Sequence, residues 1–156
     1  MSSLFFRRAE IVDIPILNKI SVQSKKHWGY PDDWIAHWMD DLQLSEDDFK
    51  QQRILLIEVD NEISGFCSIV NYKMSSEILH LWLLPRYIGS GYGTKLLEQT
   101  IDQLVPENNE IIVEADPNAE SFYFRHGFVT IDQKASYPHG RFLPVMKRLA
   151  RSNKSV

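Results

Sequence analysis

Leu83-Leu84-Pro85-Arg86-Tyr87-Ile88-Gly89-Ser90-Gly91-Tyr92-Gly93-Thr94-Lys95-Leu96-Leu97 is the stretch on which the reading of this chain turns. An apolar run ends at Pro85, three glycines alternate with other residues, and Leu97, Ile101 and Leu104 then recur at helical spacing. The pattern predicts a strand, a glycine-rich turn over 85–93 and a helix from about 91 to 104. The first amides of a helix have no carbonyl behind them and sit at the positive end of its dipole. Glycine reaches positive φ without strain and lets the main chain approach a ligand. Together these make a cradle of N–H groups for an anion. Two common phosphate loops do not fit. A mononucleotide loop needs Gly-x-x-x-x-Gly-Lys-Ser/Thr. A dinucleotide loop needs Gly-x-Gly-x-x-Gly after an early strand, whereas Gly-x-Gly-x-Gly here follows a run of strands. A tight turn that binds nothing also satisfies the glycines.

Upstream, residues 54–59, 63–72 and 78–84 are rich in β-branched and aromatic residues, with Asp60-Asn61 and Ser75-Ser76 in the gaps. They read as an antiparallel meander. Before them come a strand at 4–8, a helix capped by Asp13 with Pro15 in its first turn, and a break at His27-Trp28-Gly29-Tyr30-Pro31. Trp34, Trp38 and Leu42 mark a second helix. Ser45 with Asp48 forms a capping box for a short third one. Downstream, 111–115 is a compact apolar strand, 119–126 a helix closed by Gly127, and 128–131 and 142–147 closing strands. The order predicts a mixed α/β (α+β) fold, with a mostly antiparallel central sheet flanked by helices.

The 156 residues suit one domain over 1–150, with a polar, frayed tail at 151–156. Seventeen basic against 21 acidic side chains leave a net charge of −4, which argues against nucleic-acid and anionic-membrane partners. No apolar run approaches a membrane span or a leader peptide. Cys67 is the only cysteine, so no internal disulfide can form, and a reducing, cytoplasmic setting is expected.

The 83–97 stretch resembles the coenzyme-binding motif of the GNAT superfamily of N-acetyltransferases, which runs Val-x-Pro, then Gln/Arg-x-x-Gly-x-Gly/Ala, then a helix. Leu83 and Pro85 match its start, Gly91 and Gly93 its core, and Gly89 a third glycine that many members carry. Ile88 stands where Gln or Arg is usual. A second segment, residues 115–128, resembles the later motif Asn-x-x-Ala-x-x-x-Tyr-x-x-x-Gly-Phe. Ala119, Tyr123, Gly127 and Phe128 are in register, while Asp116 replaces the Asn and Asn118 lies two residues on. The resemblance implies acetyl-CoA as co-substrate, held between strands 78–84 and 111–115, with Leu83, Leu84, Ile88, Gly89, Ser90, Gly91, Tyr92, Gly93, Thr94, Asn118 and Tyr123 as its contacts. It implies direct transfer to an amine of a small molecule or peptide, with no acyl-enzyme and no metal, so Cys67 needs no catalytic role. It further implies a main-chain N–H near Leu83 or Leu84 facing the thioester oxygen, and Tyr123 as the acid that protonates the departing thiolate.

The base is open on the residues themselves. His80 titrates in the right range, but strand alternation puts it on the face of Trp82 and Leu84, where a satisfied structural histidine fits equally. Glu77 and Glu114 are the carboxylate alternatives, and His126 reads as a solvated helix end. Trp28 and Tyr30 either line an acceptor pocket or pin their loop, and Arg141 either pairs with an acceptor carboxylate or is solvated. A homodimer is permitted. Against the enzyme stand a non-catalytic acyl-CoA-binding sensor and an interaction domain whose loop is empty.

Overall fold

Ile54, Leu55, Leu56 and Ile57 are consecutive and all buried, so strand β2 (Arg53–Val59) is covered on both faces. The computed structural model describes residues 2–153. Asp60 and Asn61 both take left-handed φ, 50° and 69°, and this two-residue turn leads from β2 into β3 (Glu62–Asn71). Strand β1 (Leu4–Arg8) pairs antiparallel to β2, from Leu4 opposite Val59 to Arg8 opposite Leu55. Strand β4 (Ser75–Leu83) lies parallel to β5 (Glu110–Glu114), with Ser76 opposite Ile111. Strands β6 (Val129–Ser136) and β7 (Arg141–Arg148) are antiparallel, with an irregularity between Thr130 and Asp132, and β7 is antiparallel to β5. The seven strands run in the order β1-β2-β3-β4-β5-β7-β6. The helices are α1 (Ile14–Lys26), α2 (Asp32–Leu42), α3 (Asp48–Gln51), α4 (Tyr92–Leu104) and α5 (Glu120–Arg125). The expected mixed α/β class is the class observed. A helical crossover, α4, joins the parallel neighbours β4 and β5, as a parallel pair demands.

The described residues group into two units. The first holds the chain up to Ser68 together with His80–Leu104. Leu17 of α1 packs there with Leu44, Ile54, Leu56 and Phe66, while Ile35, Trp38 and Leu42 form a second cluster. Trp82 touches both clusters. Leu96, Leu97 and Ile101 of α4 are buried. Cys67 is fully buried, and burial pushes its pKa up to about 12, with the Thr100 side chain opposing. The second unit holds Ile69–Leu79 and the chain from Val105 onward. Ile111, Val113, Tyr123, Phe128 and Met146 are buried in it. Buried Asn109 donates from Nδ2 to the Tyr72 carbonyl (3.1 Å) and to Ser76 Oγ (3.1 Å), and Ser76 Oγ donates to Asn71 Oδ1 (2.6 Å). This network ties the start of β4 to the residue before β5.

Three local expectations change. Asp13 does not cap α1 directly. It ends a 3-10 turn, Ile11–Asp13, and its carboxylate accepts from Arg7 at 2.9 and 3.1 Å and from the Glu10 N–H at 2.7 Å. The Arg7 guanidinium holds the Asp13 carboxyl below its usual range. Ser75 and Ser76 belong to β4 and are not a gap: the Ser75 carbonyl accepts the Tyr72 N–H at 2.7 Å, and the Asn109 network holds Ser76. Strand β6 reaches Ser136, carried through polar residues by its ladder to β7. Of the tail, Arg151–Asn153 form a 3-10 turn, and residues 154–156 lie outside the described residues.

Candidate active site

The glycine segment leaves β4 at Leu84, whose N–H donates to the Ser64 carbonyl at 2.8 Å. A 3-10 turn, Pro85–Tyr87, follows, and the Ile88 N–H closes it on the Pro85 carbonyl at 3.1 Å. Gly89 and Gly91 then take φ of +86° and +87°. A Cβ at either would meet nothing within 4 Å. Glycine is therefore required by backbone conformation and not by crowding, and the space beside the loop is open. The Gly91 carbonyl accepts the Lys95 N–H at 3.3 Å, the first bond of α4. The amides of Tyr92 and Gly93, one step earlier, have no helical carbonyl behind them. Tyr87 and Tyr92 stack edge-on at 5.3 Å, and Arg86, ion-paired with Glu62, lies over the Tyr87 ring at 4.9 Å. Residues 83–97 contain no carboxylate and two cations, Arg86 and Lys95. Ile88 is half-buried and offers only its main chain. The segment thus fits a pyrophosphate held by backbone amides.

In the second unit, Tyr123 is buried in α5, its ring 5.3 Å from that of Phe122 and 5.2 Å from that of Phe128. Its carbonyl accepts the His126 and Phe128 amides at 3.0 and 3.1 Å, so the helix end closes on Tyr123 itself. Asp116 caps the turn Pro117–Ala119 that leads into α5, accepting from Asn118 N at 2.8 Å and from Asn118 Nδ2 at 3.0 Å. Arg141 reaches Asp116 at 3.4 Å and Ser136 Oγ at 3.0 Å. The solvated reading of Arg141 therefore needs revision. Its side chain is 12% exposed, so it is not a solvated arginine, and it is engaged within the chain. Glu77 is half-buried, and burial, followed by the nearby Glu114, raises its carboxyl above the usual range, with Lys134 opposing. Lys134 also bonds both Glu114 oxygens, at 3.0 and 3.1 Å.

His80 and Trp82 share a face as alternation requires, and the Trp82 indole N–H donates to His80 Nδ1 at 3.0 Å. The imidazole is buried beside Phe66, and burial lowers its pKa to about 4, with Asp48 and Asp41 pulling weakly the other way. The ring is therefore neutral at pH 7, with its proton on Nε2. Folding favours the neutral form, so this stability is present above pH 6.5 and is lost as pH falls toward 4. Unfolding free energies at pH 7 and pH 4 should show a loss of about 3 kcal/mol in the native chain that His80→Gln lacks. An equal acid loss in both would remove His80 from the account.

Sequence reasoning missed a buried cation. Lys25 Nζ lies 4.6 Å from the Trp38 ring centroid, 5.1 Å from Tyr30 and 5.9 Å from Trp82. Aromatic faces stabilise such a charge. The available signal was spacing, since Lys25 continues the buried stripe of Leu17 and Ser21 at every fourth residue. Tyr30 is thereby pinned against Trp34 and Trp38, at 5.9 and 5.0 Å, whereas Trp28 stays 42% exposed with His27 against it.

Taken with the fold and glycine segment, a family match defines the class, an acyl-CoA-dependent acetyltransferase. The sequence model of the acetyltransferase (GNAT) domain matches residues 22–149. The chain belongs to the GNAT acetyltransferase family. Among solved structures, it is similar to the paiA N-acetyltransferase from Thermoplasma acidophilum in complex with coenzyme A, at 19% identity and a TM-score of 0.75, over 94% of this chain and 99% of that one. A GCN5-related N-acetyltransferase from Rhodopseudomonas palustris gives 21% identity and a TM-score of 0.78, over 96% and 97%. An acetyltransferase from Thermus thermophilus gives 17% and 0.65, over 94% and 97%. No curated protein matches the chain by sequence. No helix among the described residues is long and apolar enough to cross a membrane.

Proposed function

We propose that this chain transfers an acetyl group from acetyl-CoA directly to an amine of a small molecule or peptide, in the cytoplasm, and that residues 1–150 act as one catalytic domain. The observation that carries the proposal is the open, carboxylate-free loop with left-handed Gly89 and Gly91 at the start of α4, in a chain of an acetyltransferase family. Main-chain amides from Ile88 to Thr94 would hold the pyrophosphate, with Leu83, Leu84 and Asn118 as further contacts. Bound acetyl-CoA supplies an activated acetyl thioester. The Leu84 N–H is taken by the Ser64 carbonyl, which leaves the Leu83 main-chain N–H as the donor that would polarise the carbonyl oxygen. Glu77 suits the base better than His80, because a raised carboxyl lies nearer working pH while the His80 ring is buried and already bonded at Nδ1. Glu77 takes the ammonium proton directly or through water, and the amine nitrogen bonds to the acetyl carbon as the C–S bond breaks. The Tyr123 hydroxyl delivers a proton to the sulfur, and the extra proton left on the new amide nitrogen returns to the Tyr123 oxygen, directly or through water. Exposed Trp28 is the apolar contact offered to the acceptor, beside Tyr30.

The test is incubation with acetyl-CoA and pooled amines, following free coenzyme A thiol, with a thermal melt at saturating acetyl-CoA. Amine-dependent release is expected, as is stabilisation of about 2.7 kcal/mol at 100 Kd. Glu77→Gln should abolish most of the release while raising the melting temperature at neutral pH. A carboxyl with a raised pKa favours the fold when protonated, and that contribution is lost as pH rises through its folded pKa. Binding without release from any pool would favour the sensor reading, which the Ile88 departure keeps open. Neither binding nor release would sink both.

A further inference from the structure

We propose that Arg141 is a positioning residue for Tyr123, acting through Asp116, and is not a contact for the acceptor's carboxylate. The inference rests on the acetyltransferase reading above for what Tyr123 does, and on geometry for how it is held. Asp116 stands where the family motif carries Asn. A carboxylate can accept from the Asn118 N–H and side chain, as it does at 2.8 and 3.0 Å, but it brings a negative charge that Asn would not. Arg141 sits 25 positions away in sequence, at the start of β7, and meets that charge at 3.4 Å. Both side chains are 12% exposed, so the pair is largely shielded from water and holds better than a surface pair would. Ser136 Oγ fixes the other guanidinium nitrogen at 3.0 Å, which anchors the fork to the last residue of β6. The chain is thus braced from the β6–β7 hairpin to the turn Pro117–Ala119, and α5 begins at the next residue. That helix has only six residues, too few to hold itself in water. The orientation of the Tyr123 ring therefore depends on what pins the two ends of α5. The Gly127-Phe128 closure pins one, and the Asp116–Arg141 brace, together with the Glu120 carboxylate accepting from Thr130 Oγ1 at 2.7 Å, pins the other. The substitution of Asp for Asn in the motif is matched by a cation on a different strand.

Amide hydrogen exchange on the unliganded protein tests this without needing turnover. In Arg141→Gln, residues 117–128 should exchange roughly tenfold faster, the size set by losing one charge-assisted bond, while α4 exchanges at its native rate. Arg141→Lys should restore part of the protection. In steady-state kinetics, Arg141→Gln should lower kcat equally for acceptors with and without a carboxylate, and KM for acetyl-CoA should stay within about twofold. Native exchange at 117–128 combined with a KM rise confined to carboxylate-bearing acceptors would overturn the proposal. Faster exchange in α4 as well would also overturn it, since Arg141 would then act on the whole fold. If the native chain releases no thiol with any amine, the enzymatic reading fails while the exchange result still judges the brace.

Discussion

Replacing Tyr123 by phenylalanine is expected to lower kcat by roughly a hundredfold or more, with KM for acetyl-CoA nearly unchanged. The variant keeps the ring contacts with Phe122 and Phe128 and both bonds to the residue's carbonyl, so α5 stays closed. Only the hydroxyl is lost, at about 1 kcal/mol of stability. The proton for the departing sulfur must then come from water. A poorer leaving group raises the barrier in the transition state and leaves ground-state binding alone, which is the pattern of a lowered kcat with an unchanged KM. Steady-state rates with varied acetyl-CoA would check this, through a kcat that falls while KM holds. An unchanged kcat would remove Tyr123 as the acid while leaving the coenzyme loop in place.

Gly65→Ala should be the most damaging single methyl in the first unit. A Cβ there would lie 2.6 Å from the Trp82 carbonyl oxygen, 2.6 Å from Leu83 Cδ2 and 3.3 Å from Ile57 Cγ2. Leu83 can turn, but the Trp82 oxygen is backbone and can move only with β4. The strands must part beside the Leu84-to-Ser64 bond, where β4 hands over to the coenzyme segment. Destabilisation of about 2–3 kcal/mol is expected from overpacking, together with weaker acetyl-CoA binding. Urea unfolding and a thermal melt with ligand would measure the two effects. Native stability in the variant would mean that β4 tolerates the shift, and the close approach would then not explain the glycine.

What the sequence disclosed, and what it hid, divides by range. The Gly89-Ser90-Gly91 turn was legible because positive φ is a local demand that glycine announces. The Asp60-Asn61 hairpin was legible for a related reason, since Asn and Asp tolerate left-handed backbone. The Tyr123 segment was legible from its register with Ala119, Gly127 and Phe128. Long-range partners were not. Nothing near Asp13 shows that Arg7 will claim its carboxylate, and nothing near Ser76 shows that Asn109 will bond its hydroxyl. Strand β6 was cut short because Asp132, Gln133 and Lys134 look like loop residues, and only the ladder to β7 makes them strand. Arg141 reads as available because its partner is distant in sequence, and the three rings around Lys25 come from two other elements and the loop between helices, which its own neighbourhood does not disclose.

The sealed position of Cys67 has a practical reach. With its thiol buried and its pKa pushed up to about 12, the folded chain presents almost no thiolate to alkylating or disulfide reagents at neutral pH. A colorimetric thiol probe can therefore stay in the cuvette during turnover, and every equivalent it consumes comes from coenzyme A. The same probe becomes a stability sensor without the substrates, because one equivalent per chain appears only when the molecule opens. A second cysteine introduced on the surface would be the sole reactive sulfur, ready to carry a fluorophore without first removing the native one.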